Sequence, residues 1–164
     1  KRAYHNESIS EHLYKNLDNY NNSIFSNGKK NKSLNLDVFT AIKKIKADLI
    51  YLDPPYCGTM NDYYGFYNLL DEYIVSHKLE EFKNSFINKD KILGDFKKLF
   101  SNLKNFKYWV ISYNNRSYPS KDQMYDLLKS FSNKVSILEK DHNYQITGKL
   151  EKKMNKELLF IVEI

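Results

Sequence analysis

An α/β fold with a mainly parallel sheet is predicted for this 164-residue chain by the order of its apolar segments. Short runs of strand length alternate with longer stretches of helical periodicity, as in β–α–β crossovers. The last two runs are joined by a loop without that periodicity, which predicts an antiparallel hairpin closing one edge. The length suits one domain. Residues 1–164 are therefore read as a single domain, with 1–33 a helix and polar loop leading into the sheet-forming segment 34–164.

Within residues 4–20, Ile9, Leu13, Leu17 and Tyr20 recur at helical spacing and predict one short helix. Residues 21–33, rich in Asn, Ser and Lys and holding Gly28, read as a loop. A strand at 34–38, a helix at 39–45 and a strand at 47–53 follow. Residues 63–103 are predicted to be mostly helical, with a break near Asn88-Lys89-Asp90 and with Ile92, Phe96, Leu99, Phe100 and Leu103 on one face. Next come a strand at 107–113, a loop to Pro119, and a helix at 120–131 with Ser120 as its cap. Strands at 135–141 and 157–163, linked by a basic loop around Gly148, form the closing hairpin.

Composition narrows the partners. Lys and Arg number 26 against 20 Asp and Glu, a net charge of +6 with a pI near 9.1. That balance leans toward nucleic acid, although lysine-rich surfaces of similar charge also occur without such a partner. No apolar run approaches the roughly 20 residues a membrane span needs, and no secretory pattern opens the chain, so no membrane is expected. The single cysteine, Cys57, has no internal partner, which fits a reducing cytoplasm. The four histidines lack metal-ligand spacing, and no metal site is expected.

One motif carries chemistry. The apolar run Ala47-Asp48-Leu49-Ile50-Tyr51-Leu52 ends in Asp53-Pro54-Pro55-Tyr56. This places an acid, two prolines and an aromatic at the carboxyl edge of a sheet, where open α/β folds bind ligands. Proline fixes its own φ and lacks an N–H, and it biases the preceding residue toward extended geometry, so the pair makes a stiff rim of carbonyl acceptors. Asp53 and the Pro54 carbonyl together suit an exocyclic amino group on a flat base. Its lone pair is delocalised into the ring until hydrogen bonds draw it out, and Tyr56 offers a ring for the base to stack on. The competing reading is a rigid strand-to-loop turn, for which Asp and Pro are ordinary residues. The aromatics after the turn, Tyr63, Tyr64, Phe66 and Tyr67, divide between a helix's inner face and the pocket, with Tyr64 the pocket candidate.

Leu49 to Tyr56 resembles the catalytic motif of the DNA adenine methylase family, the N6-adenine-specific DNA methyltransferases. Further stretches agree in order. Leu34-Asn35-Leu36-Asp37-Val38-Phe39 resembles the strand whose acid lies near the cofactor's adenine. Tyr63 to Leu70 resembles the aromatic helix start after the catalytic loop. Trp109-Val110-Ile111-Ser112-Tyr113-Asn114-Asn115 is similar to the next strand, and Asn143-Tyr144 with Lys156 to Ile161 resembles the closing hairpin. The match spans roughly residues 33–164.

The resemblance implies a partial Rossmann-like methyltransferase sheet, S-adenosylmethionine as methyl donor, and double-stranded DNA with a flipped adenine as substrate, as in restriction-modification enzymes. It assigns catalysis to Asp53, Pro54, Pro55 and Tyr56. Asp37, Val38, Asp53 and Tyr64 fall to the cofactor, and Tyr56, Ser112, Asn114, Tyr144 and Lys149 to DNA. Asp37 is equally a helix cap, Tyr144 equally a strand aromatic covering the sheet, and Lys149, Lys152, Lys153 and Lys156 equally a solvated charge run. Cytosine amino methylation pairs Ser with the same Pro-Pro-Tyr and glutamine side-chain methylation uses Asn, so Asp53 argues for adenine without excluding either alternative. A non-catalytic DNA-binding remnant is the third reading. The family's glycine-rich cofactor loop has no counterpart: the five glycines, at 28, 58, 65, 94 and 148, are too dispersed. The expectation is a carboxyl-terminal portion, completed by an amino-terminal half or by a partner chain carrying that loop.

Overall fold

The computed structural model describes residues 8–58, 63–80, 84–142 and 155–164; the side chains of residues 63–67 lie outside what is described. The chain divides into two units, Lys1–Asn35 and Leu36–Ile164. The first contains helix α1, Ile9–Asn22, opened by a capping box in which Ser8 accepts from the Glu11 N–H and Glu11 accepts from the Ser8 N–H. No side chain of α1 is buried, and its apolar stripe of Ile9, Leu13, Leu17 and Tyr20 is exposed.

In the second unit, α2 (Val38–Lys44), β1 (Leu49–Leu52), α3 (Tyr63–Val75), α4 (Ile92–Ser101), β2 (Tyr108–Asn114), α5 (Lys121–Lys129), β3 (Lys134–Asp141) and β4 (Lys156–Glu163) follow in order. The strands form one sheet in the order β1-β2-β4-β3. Only β1–β2 is parallel, and β4 runs antiparallel to both of its neighbours. This corrects the expectation of a mainly parallel sheet. The hairpin of β3 and β4 exists, but β4 inserts between β2 and β3, so β3 forms the edge.

Two further expectations change. Residues 34–37 are irregular rather than a strand, and α2 starts at Val38. A strand exists only through a ladder, and no described segment pairs with this one, which leaves Leu34 and Leu36 exposed. The long helix over 63–103 is instead α3, a single 3₁₀ turn at Ser85–Ile87, and α4. Ser76, at φ +58, turns the chain out of α3 through the left-handed region.

Period-two alternation sorts the sheet into two unlike faces. Trp109, Ile111 and Tyr113 of β2 align with Val162, Phe160 and Leu158 of β4 on the core face, and all six are buried. On this face α4 buries Ile92, Phe96, Leu99 and Phe100, as its periodicity predicts. Phe100 stacks on Trp109 at 5.8 Å between centroids, and Phe96 meets Tyr113 edge-on at 6.2 Å. The Trp109 indole N–H donates to the carbonyls of Leu103 and Phe106, tying the turn before β2 to the core. α5 adds Met124 and Leu128. The opposite face carries Leu49, Tyr51, Val110, Leu159, Ile161 and Leu138; of these Leu49, Tyr51 and Leu138 are 51, 58 and 57% exposed.

Candidate active site

The parallel ladder between β1 and β2 ends at the pair Leu52 and Ile111. Beyond it the chain of β1 leaves as Asp53-Pro54-Pro55-Tyr56, while β2 continues through Ser112 to Asn114, which faces Glu157 at the start of β4. Three chain segments thus converge on one sheet edge. Asp53 is exposed, and both prolines and Tyr56 are half-buried.

The turn is fixed from beneath. Cys57 is buried, its thiol donates to the Ile87 carbonyl at 3.2 Å, and its own carbonyl accepts from the Tyr118 N–H at 2.9 Å. Burial pushes the Cys57 thiol pKa up, opposed by the nearby Lys89 ammonium. Gly58 then takes φ +85, a conformation that favours glycine, and reverses the chain. The Tyr56 ring rests edge-on against Tyr113, with centroids 5.9 Å apart.

The Tyr56 hydroxyl is the hub of the site. It lies 3.3 Å from Asp53 Oδ1, 3.2 Å from Ser112 Oγ and 3.3 Å from Glu157 Oε2. Glu157 Oε1 accepts from the Asn114 amide at 3.3 Å, and Asn114 Oδ1 accepts from the Arg116 N–H at 2.9 Å. Asn115 and Lys156 clasp the same edge, the Asn115 N–H donating to the Lys156 carbonyl at 3.1 Å and the Lys156 N–H to Asn115 Oδ1 at 2.8 Å. Asn155 is buried, and its Oδ1 accepts from the Arg116 guanidinium at 3.4 Å.

The structure therefore brings Asp53, Tyr56, Ser112 and Asn114 together. Asn114 is only 3% exposed, and its amide holds Glu157 and the following turn. Tyr113 lies on the core face, because alternation sends it away from the side that carries Ser112 and Asn114; it supports Tyr56 from behind. Asp37 caps α2, accepting from the Thr40 N–H at 3.1 Å, and Thr40 holds its exposed carboxyl below the usual range. Val38 packs against the core. Lys156 is held by Glu139 at 3.0 Å. Tyr144, Lys149, Lys152 and Lys153 lie outside the described residues, as does the Tyr64 side chain. Glu157 is the residue that sequence reasoning missed. Its signal was a carboxylate, after Lys156, at the start of a strand whose next five residues are apolar, in register with Asn114. No group of three His, Cys, Asp or Glu among the described residues is placed to hold a metal ion, and no described helix is long and apolar enough to cross a membrane.

An exposed carboxylate, two half-buried prolines and an anchored phenol thus stand together at one sheet edge. The family model for D12 class N6 adenine-specific DNA methyltransferases matches residues 1–146. The type II methyltransferase M2.HphI of Haemophilus parahaemolyticus is 46% identical over 163 residues, covering 99% of this chain and 48% of that protein. The modification methylase StsI of Streptococcus sanguinis is 32% identical over 121 residues, covering 67% of this chain and 18% of that protein. The modification methylase LlaI of Lactococcus lactis subsp. lactis is 26% identical over 114 residues, covering 63% of this chain and 18% of that protein. The chain thus spans about half the length of the first relative and less of the other two. No solved structure matches it significantly. The motif at the edge of β1 and the extent of the family match together make the chain a member of the D12 class N6 adenine-specific DNA methyltransferases.

Proposed function

We propose that this chain carries the target-base portion of a cytoplasmic enzyme that methylates the N6 amino group of an adenine flipped out of duplex DNA. The supporting observation is the exposed Asp53 carboxylate, 3.3 Å from the half-buried Tyr56 hydroxyl at the sheet edge. Asp53 and the Pro54 carbonyl accept hydrogen bonds from the amino group and turn its lone pair out of conjugation. Asp53 need not be a strong base, because the nitrogen becomes acidic once methylated; catalysis is mainly positioning and electrostatics. The exposed part of the Tyr56 ring offers a stacking surface worth about 1–3 kcal/mol, comparable with the few kcal/mol that extruding a base costs.

S-adenosylmethionine, when bound, supplies the electrophilic methyl group. The residues present suit part of it. The exposed Asp37 carboxylate suits the cofactor's amino or hydroxyl groups, and Val38 and Tyr64 suit its flat base. The methionine end falls to a glycine-rich loop carried by an amino-terminal half or a partner chain, within a Rossmann-like sheet of which these strands are one part. Ser112, beside the Tyr56 hydroxyl, falls to the flipped base, Asn114 serves that edge through Glu157, and the family resemblance assigns Tyr144 to the base and Lys149 to a flanking phosphate. The relatives named as modification methylases support a place in a restriction-modification system.

The test is methyl transfer by the complete gene product from labelled cofactor to duplex DNA, followed by nucleoside analysis. N6-methyladenine is expected, and Asp53→Ala should reduce it by at least about 100-fold, as when a transition-state hydrogen-bonding group is removed. Label confined to cytosine, or an active Asp53→Ala enzyme, would overturn the assignment.

A further inference from the structure

Glu157 has no part in the chemistry described so far, yet two of its hydrogen bonds tie it to the site. One carboxylate oxygen faces the Tyr56 hydroxyl at 3.3 Å and the other receives the Asn114 amide at 3.3 Å. Among the described residues two carboxylates and one hydroxyl stand around the phenol oxygen, but a phenol has a single hydrogen. It can be given to Asp53 or to Glu157, and not fully to both. Ser112, at 3.2 Å, brings its own hydrogen and can donate to the phenol.

The two carboxylates are held differently. Asp53 is exposed on a loop, whereas Glu157 is half-buried on a central strand. Glu157 is aimed by Asn114, and Asn114 is buried and fixed in turn by the Arg116 N–H. An acceptor held by a buried network is pre-organised for the phenol hydrogen. An Asp53 oxygen that receives the phenol is a weaker acceptor for anything else. We propose that Glu157 is a positioning residue: it takes the Tyr56 hydrogen, fixes the ring beside the turn, and leaves Asp53 to accept from the target amino group. The proposal rests on the methylation reading for its consequence, though not for the contact itself.

Two measurements separate these. In this chain labelled with ¹³C-tyrosine, the ring carbon bearing the Tyr56 hydroxyl is assigned by its loss in Tyr56→Phe. Its resonance should move in Glu157→Ala and return most of the way in Glu157→Gln, which keeps an acceptor oxygen. A resonance that stays in place in Glu157→Ala overturns the proposal. In the complete gene product, Glu157→Ala should lower kcat about 10- to 100-fold, as misplacement of a positioned group does, with the KM for S-adenosylmethionine unchanged. In the Tyr56→Phe background the same substitution should cost less than about twofold, because the two residues act as one unit.

An undiminished cost in that background would mean that Glu157 acts on the substrate directly, and would overturn the positioning role. Should Glu157→Ala fail to fold, Glu157→Gln with and without Tyr56→Phe carries the same comparison. An enzyme that does not methylate adenine ends the functional reading, while the resonance still decides the contact.

Discussion

Tyr113 is fully buried, and its hydroxyl has no hydrogen-bond partner among the described residues. An orphaned buried hydroxyl costs about 1–3 kcal/mol. Burial is also the main reason its phenol is pushed far above the ordinary value of 10.0, with Cys57, Tyr56 and Tyr118 adding to the effect. A raised folded value means that the native state keeps the proton after the unfolded chain has lost it. Stability is therefore intact below the ordinary value and declines as pH rises beyond it. Tyr113→Phe should leave stability unchanged or raise it by about 1 kcal/mol, read as the urea midpoint, and should blunt the alkaline decline. A loss of about 2 kcal/mol or more would point to a hydrogen-bonding partner for the hydroxyl. Tyr56 is the opposite case, since its hydroxyl reaches three oxygens. Removing that hydroxyl should register in turnover far more than in stability.

Among the elements, α5 shows local sequence and structure in closest agreement. Ser120 accepts from the Gln123 N–H at 3.2 Å and Gln123 accepts from the Ser120 N–H at 2.9 Å, so Ser120→Ala should cost about 1 kcal/mol in thermal or urea unfolding. The β3–β4 hairpin carries an acid-sensitive clasp. Hydrogen bonds from Lys121 and Lys156 hold the Glu139 carboxyl below its ordinary 4.5. A depressed folded value contributes above the unfolded one and is lost as pH falls through the folded value. Amide exchange along β3 should therefore quicken below the ordinary glutamate range, and Glu139→Gln should remove that dependence. What the sequence made legible follows from these cases. Caps, the face of α4 and the turn after β1 are written in local spacing, because their partners lie within a few residues or along one periodic stripe. Strand order is not local. Nothing in the runs 134–141 and 156–163 says that the second enters between β2 and the first. The Glu157 contact to Tyr56, 101 positions apart in sequence, is hidden for the same reason. Residues 34–37 read as a strand because Leu34 and Leu36 alternate, but alternation supplies no ladder partner.

At the scale of the second unit, one face of the sheet is covered by helices, while among the described residues several apolar side chains of the other face stand exposed. Parallel strands are ordinarily buried on both faces, yet Leu49 and Tyr51 of β1, with Leu138 of β3, stand more than half exposed on an apolar surface. An exposed apolar face of this kind marks an interaction site or an aggregation liability. Exchanging Tyr51 and Leu138 for lysine should change unfolding stability by no more than about 0.5 kcal/mol, as at other surface positions, while reducing self-association seen by light scattering. If stability collapsed instead, the face would have to be packed. The place of β4 has a separate consequence for biosynthesis. The strand that leaves the ribosome after β2 and β3 is the one that joins them, so the two earlier ribbons wait as unpaired edges until residue 163 has emerged. A nascent polypeptide stalled at His142 would display β3 as a loose tail open to proteases, and the docking of one late segment would zip the two halves shut.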